Sequence, residues 1–154
     1  MAHVRRLAGI LLVALAIPST ANAGRTAGNF RVAGDMPLVA KVGVELLDIV
    51  KGGAFVGDGA LLVGVAAGMG GGEARLGYAL VSSGSGGYAV GAAATVVRTW
   101  GDPWNAEKDE TYVGPELFVQ DKIRIGLGAL VRVDDPDMRV IPRIEVGIGY
   151  FSGL

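Results

Sequence analysis

The sequence has no cysteine and a single histidine, His3. Without cysteine there are no disulfides, no thiolate nucleophile and no thiolate metal ligands. Once the N-terminal residues are set aside, the chain also lacks the histidine that a Ser-His pair, a Cys-His pair or a strong zinc site needs. We therefore expect no enzymatic activity, no metal site and no cofactor.

Long apolar runs are also missing beyond the N-terminus. The apolar run near the start, Leu7 to Ile17, is shorter than the roughly 20 residues of a membrane-spanning helix. Two arginines precede it and Ala21-Asn22-Ala23 follows it, and these are the parts of a secretory signal peptide with its cleavage site. We predict a signal peptide at residues 1–23 and a single domain at residues 24–154, with a retained N-terminal anchor as the alternative.

The sequence shows no excess of basic residues. If Arg5 and Arg6 leave with the signal peptide, 12 of the 14 lysines and arginines remain, against 15 acidic residues. Proteins that bind nucleic acid usually carry a strongly basic surface. We therefore expect no nucleic-acid partner.

Apolar residues and glycine are abundant: 51% of the residues are hydrophobic and 26 are glycine. High hydropathy without a long apolar run is typical of strands with apolar residues at alternate positions. The clearest example is KIRIGLGALVRV, Lys122 to Val133. A less marked strand is predicted around Asn29 to Ala33. The strands predicted from clear alternation are Pro37 to Leu47, Gly59 to Met69, Glu73 to Ser82, Tyr88 to Trp100, Thr111 to Val119, Lys122 to Val133 and Arg139 to Phe151.

Charged residues and glycine share one face of these strands, and apolar side chains occupy the other. Glycine weakens a strand and has little use on a face open to water, whereas a narrow lumen holds long side chains only beside small ones. We predict an all-β fold, a closed antiparallel up-and-down barrel of about eight strands with a charged, glycine-rich lumen. Buried charges in such a lumen should be paired. The predicted lumen charges are Lys41, Glu45, Arg75, Glu116, Arg124, Arg132, Arg143 and Glu145.

Three positions test this pattern. The strand Tyr88 to Trp100 turns its small residues inward and so places Arg98 on the outer face, unless a one-residue bulge reverses the two faces. Pro115 interrupts the apolar face of its strand and indicates a bulge or an edge. Leu38 shares the outward phase of its predicted strand.

Other motifs are better explained by structure than by chemistry. Glu45, Glu116 and Glu145 lie on the faces that carry arginine, so we expect ion pairs rather than catalytic carboxylates. The stretch AGMGGGEARLG lacks the Lys-Ser/Thr ending of a phosphate-binding loop and predicts a chain reversal. The sequence DDPD at residues 134–137 matches no calcium-binding loop and predicts a turn.

The longest polar connection, residues 101–110, carries Trp104. Aromatic residues near strand ends commonly belong to the girdle at a membrane interface. A tryptophan in an exposed loop is alternatively suited to contact a partner. The sequence leaves both roles open for Trp104.

The chain resembles the small outer-membrane β-barrel proteins of Gram-negative bacteria, a group that includes the OmpA membrane domain and OmpX. The resemblance rests on the signal peptide, the alternating strands and the final segment IPRIEVGIGYF, in which Tyr150 is in phase with the preceding apolar residues; SGL follows this segment. It implies an outer-membrane location with lipid around the barrel, and a structural or surface-interaction role through extracellular loops. The alternatives are a narrow channel and a periplasmic or secreted soluble barrel that binds a lipid or another apolar ligand inside.

Overall fold

The computed structural model of the protein describes residues 25–50, 58–82, 87–133, 137 and 139–152. The predicted signal peptide and most of the DDPD turn lie outside these residues. No described segment is a helix long and apolar enough to cross a membrane. The described chain is all-β, with strands β1 (Arg25–Asp35), β2 (Val39–Val50), β3 (Asp58–Gly68), β4 (Gly71–Ser82), β5 (Tyr88–Thr99), β6 (Thr111–Gln120), β7 (Ile123–Arg132) and β8 (Val140–Ser152).

The eight strands close into one antiparallel up-and-down barrel, which confirms the predicted fold. Each strand pairs with the next along the chain, and β8 pairs with β1, so the barrel has no free sheet edge. Following paired residues once around the barrel from Arg25 leads to Asp35, ten residues further along β1. This stagger corresponds to a strand tilt of about 40°, which is usual for small closed barrels. The predicted eighth strand is β1, and it extends beyond Asn29 to Ala33 at both ends.

The apolar side of each strand faces outward and the charged side faces the lumen. On β7, Ile125 and Leu127 are exposed while Arg124 and Gly126 are buried. On β5, Arg98 is exposed on the outer face. The register between β4 and β5 runs without a break along β5, so the bulge that would have reversed the faces is absent there.

Small residues stand opposite the buried charges. Ten charged residues of the described strands are buried, and all of them except Asp35 have glycine or alanine directly opposite on a neighbouring strand. A Cβ atom added to Gly64 would lie 2.7 Å from Glu45 Cγ and 3.1 Å from Arg75 Cγ. The glycines therefore leave room for long charged side chains to cross the lumen, because a larger neighbour would occupy the same space.

Two details of the predicted strands are wrong. Leu38 is fully buried instead of facing outward. The strand β2 begins at Val39, which has a positive φ of 67°, so the alternation of β2 does not continue back through the turn to Leu38. Pro115 creates neither a bulge nor an edge: it is paired with Ala94 of β5, and the β6–β7 pairs on both sides of it keep one register.

Apolar clusters occupy both ends of the lumen. The terminal end holds the start of β1 and the end of β8, and the loop end holds the connections β1–β2, β3–β4, β5–β6 and β7–β8. The loop-end cluster consists of Leu38, Val97, Tyr112, Leu130 and Ile141, with Ala106 packed against it. The terminal-end cluster consists of Ala27, Leu47, Ile49, Ala60, Leu62, Ala79, Val81, Ala89 and Phe118, with Phe151 packed against it.

The connection between β5 and β6, residues 100–110, lies over the loop end; we call it the β5–β6 loop. The backbone N–H of Trp104 donates to the carbonyl oxygen of Pro37 at 2.9 Å, which ties the loop to the β1–β2 turn. The backbone N–H of Glu107 donates to the Tyr112 hydroxyl at 2.9 Å. The loop is therefore a fixed cover over the loop-end cluster.

We predict that Gly64→Ala lowers the free energy of unfolding by about 1 to 3 kcal/mol, because the added methyl group overfills the lumen between Glu45 and Arg75. The matched control is Gly34→Ala, where an added Cβ would have its nearest neighbours at 3.7 and 3.8 Å. Urea unfolding of the two variants, followed by far-ultraviolet circular dichroism, measures the difference. Equal stability of both variants would contradict the packing argument.

Candidate functional site

Ten charged side chains form a network in the middle of the lumen, between the two apolar clusters. Five are basic and five are acidic, so their formal charges sum to zero, and each residue is at most 5% exposed. Burial removes water from these charges, so their stability depends on one another. We call this set the lumen network; it consists of Arg31, Lys41, Arg75, Arg124 and Arg143 with Asp35, Glu45, Glu73, Glu116 and Glu145.

Glu145 is the central acidic group of the lumen network. Its side chain is fully buried, and each of its two carboxylate oxygens lies in ion-pair contact with more than one cation. Every basic side chain of the network lies within 3.5 Å of this one carboxylate. The contacts of Glu145 are with Arg31 (2.6 Å), Lys41 (2.6 Å), Arg124 (2.8 Å), Arg75 (3.0 Å) and Arg143 (3.5 Å).

The Lys41 ammonium lies among three carboxylates. Its Nζ is 3.0 Å from Glu73 Oε2 and 2.6 Å from Glu145 Oε2, and it also bonds Asp35 Oδ2. One oxygen from each of these acids lies within 4.8 Å of the others, a spacing that would suit a metal ion. Lys41 itself supplies the positive charge at this place, so the cluster is neutralised by the chain's own residues.

Uncharged groups complete the network towards the terminal end. The Asn29 amide donates to Glu45 Oε2 at 2.7 Å, and the Gln120 amide donates to Asn29 Oδ1 at 2.9 Å. Arg124 Nη1 donates to Gln120 Oε1 at 3.0 Å. The Arg124 guanidinium also lies 4.1 Å from the centre of the Phe118 ring, a cation–π contact at the border with the terminal-end cluster.

The structure brings together seven of the eight predicted lumen charges: Lys41, Glu45, Arg75, Glu116, Arg124, Arg143 and Glu145. The eighth, Arg132, lies outside the network at the rim of the loop end. Its Nη1 is 2.6 Å from Glu107 Oε2 of the β5–β6 loop, and its side chain is 22% exposed. The position of Arg132 therefore depends on contact with a loop that is distant in sequence. The alternation of residues along β7 does not indicate this contact.

Sequence reasoning missed three charged members of the network, Arg31, Asp35 and Glu73. Glu73 lies near the start of β4 and has the same phase as Arg75. This shared phase could have predicted that Glu73 faces the lumen. Arg31 and Asp35 belong to β1, whose alternation was recognised only over its central residues. The predicted lumen set had five basic and three acidic residues; with these three included and Arg132 left out, the network has five of each.

Trp104 lies on the outside of the barrel. It is 62% exposed and lines a groove of about 260 Å³ together with Ile144 and Val146 of the outer face. A tryptophan beside outward apolar residues at a strand end is typical of a membrane-interface girdle. This position favours the girdle interpretation over the partner-contact interpretation for Trp104.

The chain has no match among protein-family models, curated proteins or solved structures.

We predict that Glu145→Gln lowers the free energy of unfolding by about 3 to 5 kcal/mol, because five buried cations would then share four carboxylates. The control is Glu107→Gln at the rim, whose side chain is 55% exposed and whose loss should cost less than about 1 kcal/mol. Urea unfolding of both variants provides the comparison. Equal effects at the two positions would show that the buried network is not the stronger determinant of stability.

Proposed function

We propose that the protein is an integral outer-membrane β-barrel of a Gram-negative bacterium, with a structural or surface-interaction role and no enzymatic activity. The proposal rests on the arrangement of the two faces of the barrel sheet, in which charged side chains face inward and apolar side chains face outward, the reverse of a soluble protein. The lumen network is buried, while large apolar side chains are exposed on all eight described strands. In water this outer surface would be unfavourable by roughly 25 cal/mol per Å² of apolar area, whereas hydrocarbon surroundings remove that cost.

The aromatic side chains support two membrane interfaces. Tyr88 and Tyr150 are exposed near the terminal end, Trp104 is exposed at the loop end, and Trp100 is half-buried at the same end. Tyrosine and tryptophan favour the headgroup region, where the ring is apolar and its polar atom reaches water. Their separation at opposite ends of the strands fits a barrel that crosses the bilayer.

A filled lumen favours a structural role over a channel. The lumen network occupies the middle of the barrel, and an apolar cluster lies at each end of it. Barrels of about eight strands hold side chains inside, and water-filled channels occur at much larger strand numbers. The narrow channel is therefore the second candidate.

The carboxylates considered for catalysis are engaged in ion pairs. Glu45 Oε1 and Glu116 Oε2 lie 3.0 and 2.9 Å from the Arg75 guanidinium, and Glu145 contacts every network cation. A soluble barrel that binds an apolar ligand would need an apolar interior, and the central lumen is charged instead. Both observations support a non-enzymatic membrane barrel over these alternatives.

The β5–β6 loop is the surface that we propose for contacts outside the membrane. Apart from Trp104, its exposed side chains are polar and mostly charged, and they lie at the end of the barrel opposite the described ends of β1 and β8. If the C-terminus is periplasmic, this loop faces the cell exterior. The exposed polar residues of the loop are Asp102, Asn105, Glu107, Lys108 and Asp109.

We predict that a fluorophore at Ala92→Cys, which faces outward in the middle of β5, reports hydrocarbon surroundings when the protein is reconstituted into vesicles. The matched control is Lys108→Cys in the exposed β5–β6 loop. An environment-sensitive dye should show blue-shifted emission and quenching by brominated lipid at residue 92, and iodide quenching at residue 108. Iodide access at residue 92 equal to that at residue 108 would contradict membrane insertion.

We also predict that the purified protein gives no large, persistent conductance in planar bilayers. The physical reason is that ion-paired and apolar side chains fill the lumen. Recordings of the parent protein and of Glu116→Gln distinguish a contaminant from an intrinsic pore. Stable conductance steps that change with Glu116→Gln would place the channel function first.

A further inference from the structure

A groove on the outer surface of the barrel crosses strands β2 to β5 near the loop end. It has a volume of about 350 Å³, within the size range of small-ligand sites, roughly 300 to 1,000 Å³. Its floor includes the small residues Ala67, Gly72 and Ala74, and Val44 and other branched side chains form its walls. The groove exists because small outward residues from β3 and β4 lie next to each other in the sheet register.

The Trp100 ring fixes one wall of this groove. A Cβ atom added to Gly72 would lie 2.4 Å from Trp100 Cη2, so the indole packs directly over the bare Cα of this glycine. The backbone N–H of Trp100 donates to Gly70 O at 3.0 Å and holds the residue at the loop end. The wall is therefore an ordered aromatic surface at the level where the strands end.

A cation stands at the same end of the groove. Arg98 lines the groove and is exposed on the outer face, directly opposite Gly72 in the β4–β5 register. Its guanidinium donates to the Thr111 hydroxyl at 2.9 Å, and no carboxylate lies in salt-bridge contact with it among the described residues. Arginine presents several N–H donors in a planar fork, which suits phosphate oxygens.

We propose that this groove binds one acyl chain of a lipid whose phosphate headgroup carries a net negative charge, with Arg98 at the phosphate. The proposal rests on the proposed membrane location. The apolar floor and walls match a hydrocarbon chain, and the uncompensated cation at the interface end matches an anionic headgroup. A second copy of the chain carries its exposed loop-end acidic residues in the β5–β6 loop, beyond the strands, and its outward strand surface near the loop end offers no acidic residue among the described strands to complement Arg98.

Fluorescence of Trp100 tests the proposal directly, because this residue borders the groove. Trp104→Phe makes Trp100 the sole tryptophan of the sequence. The full chain is reconstituted into phosphatidylcholine vesicles that contain a small fraction of lipid with brominated acyl chains, either phosphatidylglycerol or phosphatidylcholine. We expect brominated phosphatidylglycerol to give half-maximal quenching at a mole fraction about fivefold lower than brominated phosphatidylcholine. This is the preference expected because one arginine lies near an anionic headgroup.

Variants separate the headgroup contact from the groove. Arg98→Gln should abolish the fivefold preference, and Arg98→Lys should restore part of it. Ala67→Leu, which fills the groove, should weaken quenching by both brominated lipids. The matched controls are Arg25→Gln, an exposed arginine at the terminal end of β1, and Ala92→Leu, an outward alanine of β5 outside the groove; both should retain the preference.

Two outcomes would overturn the lipid site while leaving the membrane barrel intact. One is equal quenching by the two brominated lipids in the parent protein. The other is a disulfide-linked dimer formed by Val44→Cys in the vesicles, which would place a second copy over the groove. Failure of the membrane location itself is distinguishable, because then neither brominated lipid would quench Trp100 in the parent protein.

Discussion

Charge balance inside a closed lumen is the constraint on which the rest of the structure depends. The barrel has no open edge, and apolar clusters separate its central charges from both ends. A charge without a partner in such surroundings is costly, so five basic groups require five acidic ones. Glu145, in contact with all five cations, makes this pairing collective rather than a set of separate pairs. The glycines opposite the charges follow from the same requirement, since crossing side chains need space.

The network also distinguishes the two faces of each strand. Because side chains alternate, a slip of one residue in a strand would move its charges to the outer face and its apolar residues into the lumen. In the proposed membrane location, apolar groups would be tolerated on either face of the sheet, whereas guanidinium and carboxylate groups would be tolerated only inside. We infer that the lumen network contributes to the register of the barrel as well as to its stability.

The sequence predicted those features of the structure that depend on neighbouring residues, and it missed those that depend on residues distant in sequence. Alternation is a local property of the backbone, so it predicted the strands, their faces and most of the buried charges. Leu38 was placed on the wrong face because a turn interrupts the alternation before Val39. Arg132 keeps the inward phase of β7, opposite Tyr112, but it lies at the rim and pairs with Glu107 of a loop whose position alternation does not indicate. The groove beside Arg98 depends on the register of several strands, which no single segment reveals.

A double-mutant cycle between Lys41 and Asp35 tests the claim of charge balance most directly. Lys41→Met and Asp35→Asn each leave the lumen network with one unmatched charge, while the double variant has four basic and four acidic groups. The account predicts that the double variant is more stable than the sum of the two single losses by about 1 to 3 kcal/mol in urea unfolding. Strictly additive losses would contradict it, because they would mean that the two residues contribute independently of the balance.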